Sequence, residues 1–219
     1  MNKPKAFFVI SRYNEDFSWV NEYTDNYLIY NKGEPILDNP KIINTENWGY
    51  NLRDIPKYIF ENYDNLPDLI AFIQADPFPH CKKEDFDQWI YNECFTPLET
   101  KGYHNGENQE PVHYTEPNSA NMFLGYNYIN LERPKPIFDN LDTFICYFIE
   151  DYTHIDVFRF SPGAQYIVEK QQALKYPKKM WKAMMNTMNS RFPVQSHMLE
   201  RIIYTILVNN YTAKAEFYE

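Results

Sequence analysis

The sequence predicts an α/β fold in which a mostly parallel central sheet is flanked by helices. Three short apolar runs in the first third of the chain each end in a polar loop, and a helical pattern separates the second run from the third. Strands that alternate with helices in this way form parallel sheets. At 219 residues, with aromatic residues at 18%, the chain is long enough to bury one sizeable core. We therefore expect a single domain over residues 1–219.

Each of the three apolar runs predicts a buried strand. The runs are KAFFVI at residues 5–10, YLIY at 27–30 and LIAFI at 69–73. Near-continuous apolar segments rich in Phe, Val and Ile are typical of strands that are buried on both faces.

Two helices are predicted in the first half of the chain. The apolar positions of the first, at helical spacing, are Leu52, Ile55, Ile59, Phe60 and Tyr63. Asp54 fits the N-cap of this helix, and Pro56 is tolerated in its first turn. Residues 82–99 predict the second helix, and its inward side would carry Phe86, Trp89, Ile90 and Cys94.

The second half of the chain gives weaker predictions. Residues 100–119 are polar, hold two Gly and two Pro, and predict a long loop. Residues 120–136 predict a short hairpin or strand region, and the periodicity of 141–153 fits a helix or a strand equally well. Residues 164–168 predict a short strand that a helix follows. Residues 196–210 predict an amphipathic helix whose apolar face holds Met198, Leu199, Ile202, Ile203, Ile206 and Leu207.

Composition excludes several classes of function. The formal net charge of -9 argues against a nucleic-acid partner, which needs many cations to neutralise phosphates. No segment approaches the roughly 18 apolar residues of a membrane span, and the first apolar run is too short for a signal peptide. Cys81, Cys94 and Cys146 are an odd number without C-x-x-C spacing, which predicts free thiols. We expect a soluble, cytoplasmic protein.

Polar side chains gather where the three predicted strands end. Ligands of open parallel sheets bind at the carboxyl ends of the strands. The candidate residues there are Ser11, Arg12, Tyr13, Asn14, Asn31, Lys32, Gln74, Asp76 and His80. Such side chains can stack on a base, bind ribose hydroxyls and neutralise phosphate, and the start of the next helix adds Arg53 and backbone N–H groups. The pattern predicts a nucleotide pocket.

Several segments resemble a glycosyltransferase-like family long catalogued only as a domain of unknown function. These segments are SRYNEDFSWV, YNKG, NWGYNLRDIPKYI, YDNLPDLIAFIQADPFPH, SPGAQYIV and HMLERIIYTI. The resemblance spans most of the chain and is most specific over residues 63–80. It implies a GT-A-type nucleotide-sugar fold, with a donor half at 1–100 and an acceptor half at 104–219. One departure is Gly49, Tyr50 and Asn51, which stand where such proteins often read Gly-Arg-Glu.

The same resemblance bears on metal binding. GT-A enzymes commonly end this strand on Asp-x-Asp, which holds Mn²⁺ or Mg²⁺ on the donor diphosphate. Here the triplet is Gln74, Ala75 and Asp76, so Asp76 is the one carboxylate that could contact a metal or a sugar hydroxyl. Both Mn²⁺- or Mg²⁺-dependent and metal-independent transfer stay open. The cations that could neutralise the diphosphate without a metal are Lys32, Arg53 and Arg12.

A literal Asp-x-Asp occurs at Asp85 and Asp87, inside the second predicted helix. Residues two apart on a helix do not face each other. We therefore expect an ordinary solvated first turn there.

The last predicted helix offers a catalytic base. His197, Glu200 and Tyr204 fall within one arc, away from the apolar face. The order of GAQYIV, a helix and SHMLERIIYTI is similar to the metal-independent, inverting group of branching N-acetylglucosaminyltransferases and peptide xylosyltransferases. That similarity implies Glu200 as the general base and His197 as the second choice. The alternative is a solvated helix face on which Glu200 pairs with Arg201. Other carboxylates to consider are Glu150, Asp151 and Glu169.

The expected function is therefore transfer of a sugar from a nucleotide sugar to a glycan or glycoprotein hydroxyl. The donor would be a UDP-sugar of the xylose or hexose type, and Glu200 or Asp76 would assist attack with inversion. Two alternatives stay open: a carbohydrate- or nucleotide-binding protein that has lost catalysis, and a metal-dependent hydrolase that uses Asp16, Asp76 and His80. Aromatic residues that could stack on sugars, and that fit a core equally well, are Trp48, Tyr50, Tyr103, Tyr114 and Tyr126.

Overall fold

The computed structural model describes residues 3–104, 106–108, 115–118 and 137–218. The hairpin or strand predicted at 120–136, together with Tyr114 and Tyr126, lies outside the described residues.

The described residues form short strands and helices in alternation. The strands are β1 Phe7–Arg12, β2 Tyr27–Asn31, β3 Ile42–Asn44, β4 Leu69–Gln74, β5 Thr96–Pro97, β6 Tyr103–His104, β7 Glu107–Asn108, β8 Thr115–Pro117, β9 Val157–Arg159 and β10 Tyr166–Glu169. The helices are α1 Val20–Tyr23, α2 Asp54–Asn62, α3 Lys83–Trp89, α4 Leu141–Phe148, α5 Lys170–Leu174, α6 Lys178–Asn186 and α7 Val194–Val208.

Six of these strands form one mixed sheet in the order β3-β2-β1-β4-β10-β5. The pairs β3–β2, β2–β1 and β1–β4 are parallel, whereas β10 runs antiparallel to both β4 and β5. Helices α1 and α3 pack on this sheet through Val20 and Phe86. The predicted α/β class with a mostly parallel sheet is confirmed.

The three predicted strands are confirmed, and they are buried on both faces. Successive residues of β1 show this, because neighbours in a strand point to opposite faces. Phe8, Val9 and Ile10 are each at most 1% exposed. Phe8 and Ile10 join a core cluster with Ile29. Continuous rather than alternating apolar sequence is thus explained by burial of both faces.

Some local predictions were wrong. Asp54 is the first residue of α2, while Arg53 occupies the N-cap and makes no side-chain cap hydrogen bond. Cys94 is exposed, because α3 ends at Trp89 and the helical spacing no longer applies beyond it. The predicted loop at 100–119 contains the two-residue strands β6 and β7 and the three-residue β8 in its described part.

The structure also resolves what periodicity left open. Residues 141–148 are helical, and α4 starts with a capping box in which Asn140 and Thr143 bond reciprocally. Strand β3 was missed because three residues are too few to show a period. The helix predicted after β10 is broken into α5 and α6 before Pro177, which is the N-cap of α6.

The described chain divides into two compact units, each discontinuous in sequence. Residues up to 47, 66–114 and 161–171 belong to the first unit, which holds the whole six-stranded sheet. Residues 48–65, 115–160 and 172 onward belong to the second unit. In the second unit α2 packs on α6, α7 contacts both β9 and α4, and β8 pairs antiparallel with β9.

Two further features concern the helices and the cysteines. Within the described ranges, the helices fall short of the length and apolar character that crossing a bilayer requires. All three cysteines are free, and burial raises the pKa of the Cys81 thiol to about 12.

A small cluster of charged and polar side chains surrounds His154 in the second unit. The His154 Nδ1 lies 2.8 Å from a carboxylate oxygen of Asp142, and its Nε2 lies 3.3 Å from Asp156. Asp142 also accepts hydrogen bonds from Tyr152 and Asn118, each at 2.7 Å. The hydrogen bond to Asp142 is the main reason that the pKa of His154 is raised above its ordinary value.

We expect this cluster to lose stability as the pH rises. Because the pKa of His154 is higher in the folded state, its contribution is fully present below about 6.5, its unfolded value, and is lost as the pH passes through the folded pKa. The melting temperature of the wild type should therefore fall, relative to that of His154→Gln, as the pH rises above about 6.5. Parallel pH profiles for the two proteins would contradict this interpretation.

Candidate functional site

The order of the strands creates a topological switch point at one end of the sheet. From β1 the chain adds β2 and β3 on one side, and then returns to place β4 on the other side of β1. A reversal of this kind between neighbouring parallel strands is a topological switch point, and ligands of α/β sheets bind outside the carboxyl ends of the strands there. The residues that follow β1 and β4 therefore form the candidate site.

Backbone hydrogen bonds join the ends of β1 and β4. Ser11 is in register with Gln74, and the N–H of Ala75 donates to the carbonyl of Ser11 at 2.9 Å. The Ala75 carbonyl in turn accepts from the indole Nε1 of Trp19 at 2.7 Å. The Ala75 peptide is thus held on both sides, and this fixes where the chain leaves β4.

Asp76 and Tyr13 extend from this edge into solvent. The Asp76 side chain is exposed, and the Tyr13 ring is 47% exposed although it is a large aromatic group. Gln74 and His80 are half-buried. An exposed ring and an exposed carboxylate that follow two neighbouring strand ends at a switch point can offer a stacking surface and an oxygen ligand to a small molecule.

Arg12 and Asn31 form hydrogen bonds that stabilise the same edge of the sheet. The Arg12 Nη1 donates to the Asn31 Oδ1 at 2.7 Å, and the Arg12 Nε donates to the carbonyl of Glu15 at 2.8 Å. Asn31 is 1% exposed and donates through Nδ2 to Glu34 and Asn44. Both residues were predicted to bind the nucleotide-sugar donor. The structure brings them together, and they form a hydrogen bond with each other.

The loops after β1 and β2 are in close contact. The N–H of Lys32 donates to the carbonyl of Arg12 at 2.8 Å, and the Asn14 Oδ1 accepts from the N–H of Glu34 at 2.9 Å. Lys32 is 8% exposed. A Cβ on Gly33 would overlap with the carbonyl oxygen of Tyr13, so only glycine fits between the two loops.

The loop that carries His80 is anchored by neighbours from later in the chain. The His80 carbonyl accepts from the N–H of Thr100 at 3.1 Å, and the Thr100 hydroxyl donates to Asp85 at 2.5 Å. Asp87 bonds Tyr23 and Lys83. The literal Asp-x-Asp at 85 and 87 therefore has a structural role on α3 as well as facing solvent.

Sequence reasoning missed two residues of this site, Gly163 and Gln165. Both lie in the segment SPGAQYIV, just before β10, and both contact the segment from Gln74 to His80. A buried Gln beside a strand is a weak signal on its own. Its partners could not be named without knowing that β10 lies next to β4.

Arg53 belongs to the second compact unit. Its Nε and Nη2 both donate to the Asn189 Oδ1, at 3.0 and 2.9 Å, and its guanidinium lies over the Trp48 ring with 5.5 Å to the centroid. The ring of Tyr50 packs against Phe192. Trp48 and Tyr50, two of the predicted stacking residues, are thus half-buried against neighbours in this unit.

The predicted arc on α7 is confirmed, since His197, Glu200 and Tyr204 are half-buried and their helical neighbours from Val194 to Leu207 are buried. Glu200 forms a close ion pair with Arg201, and its carboxylate lies 4.0 Å from the His197 Nδ1. The Glu200–Arg201 pair of the alternative interpretation is therefore present, but the face is not solvated, since the side chains of Glu200 and His197 are only 14% and 27% exposed.

Two more aromatic contacts orient the cations of this helix. The Arg201 guanidinium lies over Phe160 at 4.6 Å from the ring centroid, and Arg159 lies over Tyr204 at 4.4 Å. Arg201 is 8% exposed. The buried guanidinium of Arg201 thus contacts both the Phe160 ring and the Glu200 carboxylate.

The described residues do not bring potential metal ligands together in clusters. Across the described ranges, no three His, Cys, Asp or Glu side chains are grouped so that they could hold a metal ion. Asp16 instead accepts from the N–H and the hydroxyl of Ser18, at 3.1 and 2.6 Å, and the Ser18 hydroxyl is the main cause of its lowered pKa. This geometry gives no support to a hydrolase site built from Asp16, Asp76 and His80.

Comparison with known proteins gives one family. No curated protein and no solved structure matches the chain. The model of a family described as a protein of unknown function, DUF3431, matches residues 8–214, which include the six-stranded sheet apart from Phe7 and the whole of α7. The chain therefore belongs to the DUF3431 family.

Proposed function

We propose that the protein is a glycosyltransferase that binds a nucleotide-sugar donor where β1 and β4 end. The observation that carries the proposal is the switch point between these strands, with Asp76 and Tyr13 exposed beside it. The resemblance of SRYNEDFSWV and YDNLPDLIAFIQADPFPH to glycosyltransferase-like proteins supports the same proposal. The donor is a UDP-sugar, and the acceptor is a hydroxyl of a glycan.

In this proposal the residues at the sheet edge divide the work of donor binding. The exposed ring of Tyr13 stacks on the base, and Gln74 and His80 bind hydroxyl or phosphate oxygens. Asp76 binds a sugar hydroxyl or a cation on the diphosphate. Arg12 acts indirectly, because its hydrogen bonds to Asn31 and Glu15 hold the loop that carries Tyr13.

In this proposal a divalent cation binds at this edge together with the donor diphosphate, and not through protein ligands alone. Mg²⁺ and Mn²⁺ sites in nucleotide enzymes often use one or two carboxylates, with phosphate oxygens and waters as the other ligands. Asp76, which is exposed, meets the minimum of that requirement. A bound cation would neutralise the leaving diphosphate. In a metal-independent reaction Lys32 takes that task.

The transfer itself needs one base. The acceptor oxygen attacks the anomeric carbon, the bond from that carbon to the diphosphate oxygen breaks, and UDP leaves with the electron pair. The base removes the proton of the acceptor hydroxyl, and a single displacement inverts the anomeric centre. Asp76 is the candidate base at the sheet edge, and Glu200 and His197 are the candidates that the sequence resemblance implies.

A second candidate function is sugar or nucleotide binding without catalysis. It is favoured by the use of Arg12 in structural hydrogen bonds and by Gln74 in the place of a carboxylate. Both proposals require donor binding. They differ in whether a sugar is released or transferred.

Thermal shift tests the shared requirement. We expect the melting temperature to rise with UDP or a UDP-sugar, because a ligand that binds only the folded state stabilises by about 2.7 kcal/mol at 100 times its Kd. GDP and its sugars serve as comparison ligands, each with and without Mn²⁺. No shift with any of them would contradict both proposals. Binding without hydrolysis or transfer of the donor would favour the second.

A further inference from the structure

We propose that Gln165 is the positioning residue of the donor site, because its side chain holds the turn that presents Asp76. This inference rests on the proposed function. Gln165 is 0% exposed and lies immediately before β10, the strand that runs antiparallel to β4. It therefore cannot touch bulk solvent, and its effect on a ligand is exerted through other residues.

Both ends of the Gln165 carboxamide bond to the segment around Asp76. The Oε1 accepts from the N–H of Gln74 at 3.1 Å, and the Nε2 donates to the carbonyl of Pro77 at 3.1 Å. One side chain thus bridges the residue two before Asp76 and the residue that follows it. The backbone carbonyl of Gln165 also accepts from the N–H of Leu98 at 2.9 Å, which fixes the start of the side chain.

Only an uncharged amide can make this pair of bonds without a change of protonation. Gln offers a carbonyl acceptor and an NH₂ donor on one rigid plane, whereas an ionised Glu accepts only. An apolar side chain would leave the N–H of Gln74 without this acceptor, which is costly, while the carbonyl of Pro77 would keep the N–H groups of His80 and Cys81 as donors. The identity of residue 165 therefore sets the shape of the turn.

Gly163 supports the same conclusion from the other side of the turn. It has a φ of 70°, and a Cβ there would lie 2.9 Å from the His80 Cδ2 and 3.0 Å from the Gln74 Nε2. The segment from Ser161 to Gln165 is thus in contact with both half-buried side chains of the site. Within the first unit, this segment supports the donor edge through Gln74, Pro77 and His80.

The test compares Gln165→Leu and Gln165→Glu with the wild type. Titration calorimetry with UDP and Mn²⁺ gives the affinity, and a thermal melt gives the stability of each protein. Loss of the two hydrogen bonds should weaken UDP binding about 10-fold in Gln165→Leu. The matched control is Gln172→Leu, which removes a Gln side chain that donates to the Leu207 carbonyl at 3.2 Å in the second unit, and it should bind UDP within about 2-fold of the wild type.

The Glu variant separates positioning from general stability. A protonated Glu can accept from Gln74 and donate to Pro77, while an ionised one cannot donate. Burial raises the pKa of a Glu at this place, so the affinity of Gln165→Glu, relative to the wild type at the same pH, should recover as the pH falls from about 8 to about 5.5. This rescue is available even where Gln165→Leu fails to fold.

The outcomes distinguish this inference from the proposed function. If the wild type binds UDP and Gln165→Glu binds it equally well at both pH values, Gln165 does not position the site and only this inference falls. If the wild type binds no nucleotide, the proposed function falls and takes this inference with it. Faster amide hydrogen exchange at Gln74 in the variants, together with weaker binding, is the result that supports it.

Discussion

Replacing Asp76 with Asn is expected to lower the rate of sugar transfer about 100-fold, which corresponds to loss of one well-placed charged or acid–base group. Asp76 is exposed at the end of β4, and within the described residues its carboxylate makes no hydrogen bond or ion pair. Nothing in the fold therefore depends on its charge. The free energy of unfolding should change by less than about 0.5 kcal/mol, as for other surface substitutions.

Transfer is measured by release of UDP from the donor in the presence of an acceptor, with Mn²⁺ varied. A steeper loss in Mn²⁺ than without metal would assign Asp76 to the cation, and an equal loss would assign it to the sugar or the proton. Glu200→Gln is the comparison variant, because Glu200 is the other candidate base. Full activity in Asp76→Asn, with activity abolished in Glu200→Gln, would overturn the role given to Asp76.

Gly33→Ala is expected to destabilise the protein by about 3 kcal/mol, at the upper end of the cost of overpacking. The new Cβ would overlap with the carbonyl oxygen of Tyr13 and the Oδ1 of Asn14. A carbonyl oxygen in a bonded loop cannot move aside as the end of a flexible side chain can. The loops after β1 and β2 must therefore separate, and UDP binding should weaken in parallel with stability.

Chemical denaturation measures this change, and Gly106→Ala is its control. Gly106 has open space around its Cβ position but a φ of 81°, so that variant suffers only the cost of a left-handed conformation, about 1–2 kcal/mol. The comparison separates a steric clash from backbone strain. If Gly33→Ala were as stable as the wild type, the described approach of the two loops would be wrong.

Much of the sheet and of α7 could be predicted because their patterns are local. Burial on both faces makes β1, β2 and β4 continuous apolar runs, and the 3.6-residue period of α7 puts His197, Glu200 and Tyr204 on one arc. The ends of the helices were predicted less accurately. Asp54 and Cys94 were misplaced because helix ends depend on contacts outside the helix.

The candidate site was predicted as a set of strand ends, and the structure adds which side chains serve the fold. Arg12 and Asn31 are bonded to each other, whereas Asp76 and Tyr13 are exposed. The sequence alone could not distinguish side chains that bond within the fold from side chains that are exposed. An Arg after a strand has the same local pattern whether it faces a ligand or a buried amide.

The sequence by itself determined an α/β chain with three buried parallel strands, polar strand ends and an amphipathic last helix, because each of these depends on neighbours within one element. Only the tertiary structure decided that β10 joins β4 antiparallel and that Gln165 bonds on both sides of Asp76. Gln165 is far in sequence from Gln74 and Pro77, and its hydrogen bonds to them depend on the strand order. Strand order is fixed by packing and hydrogen bonding of the whole sheet, and no local period records it.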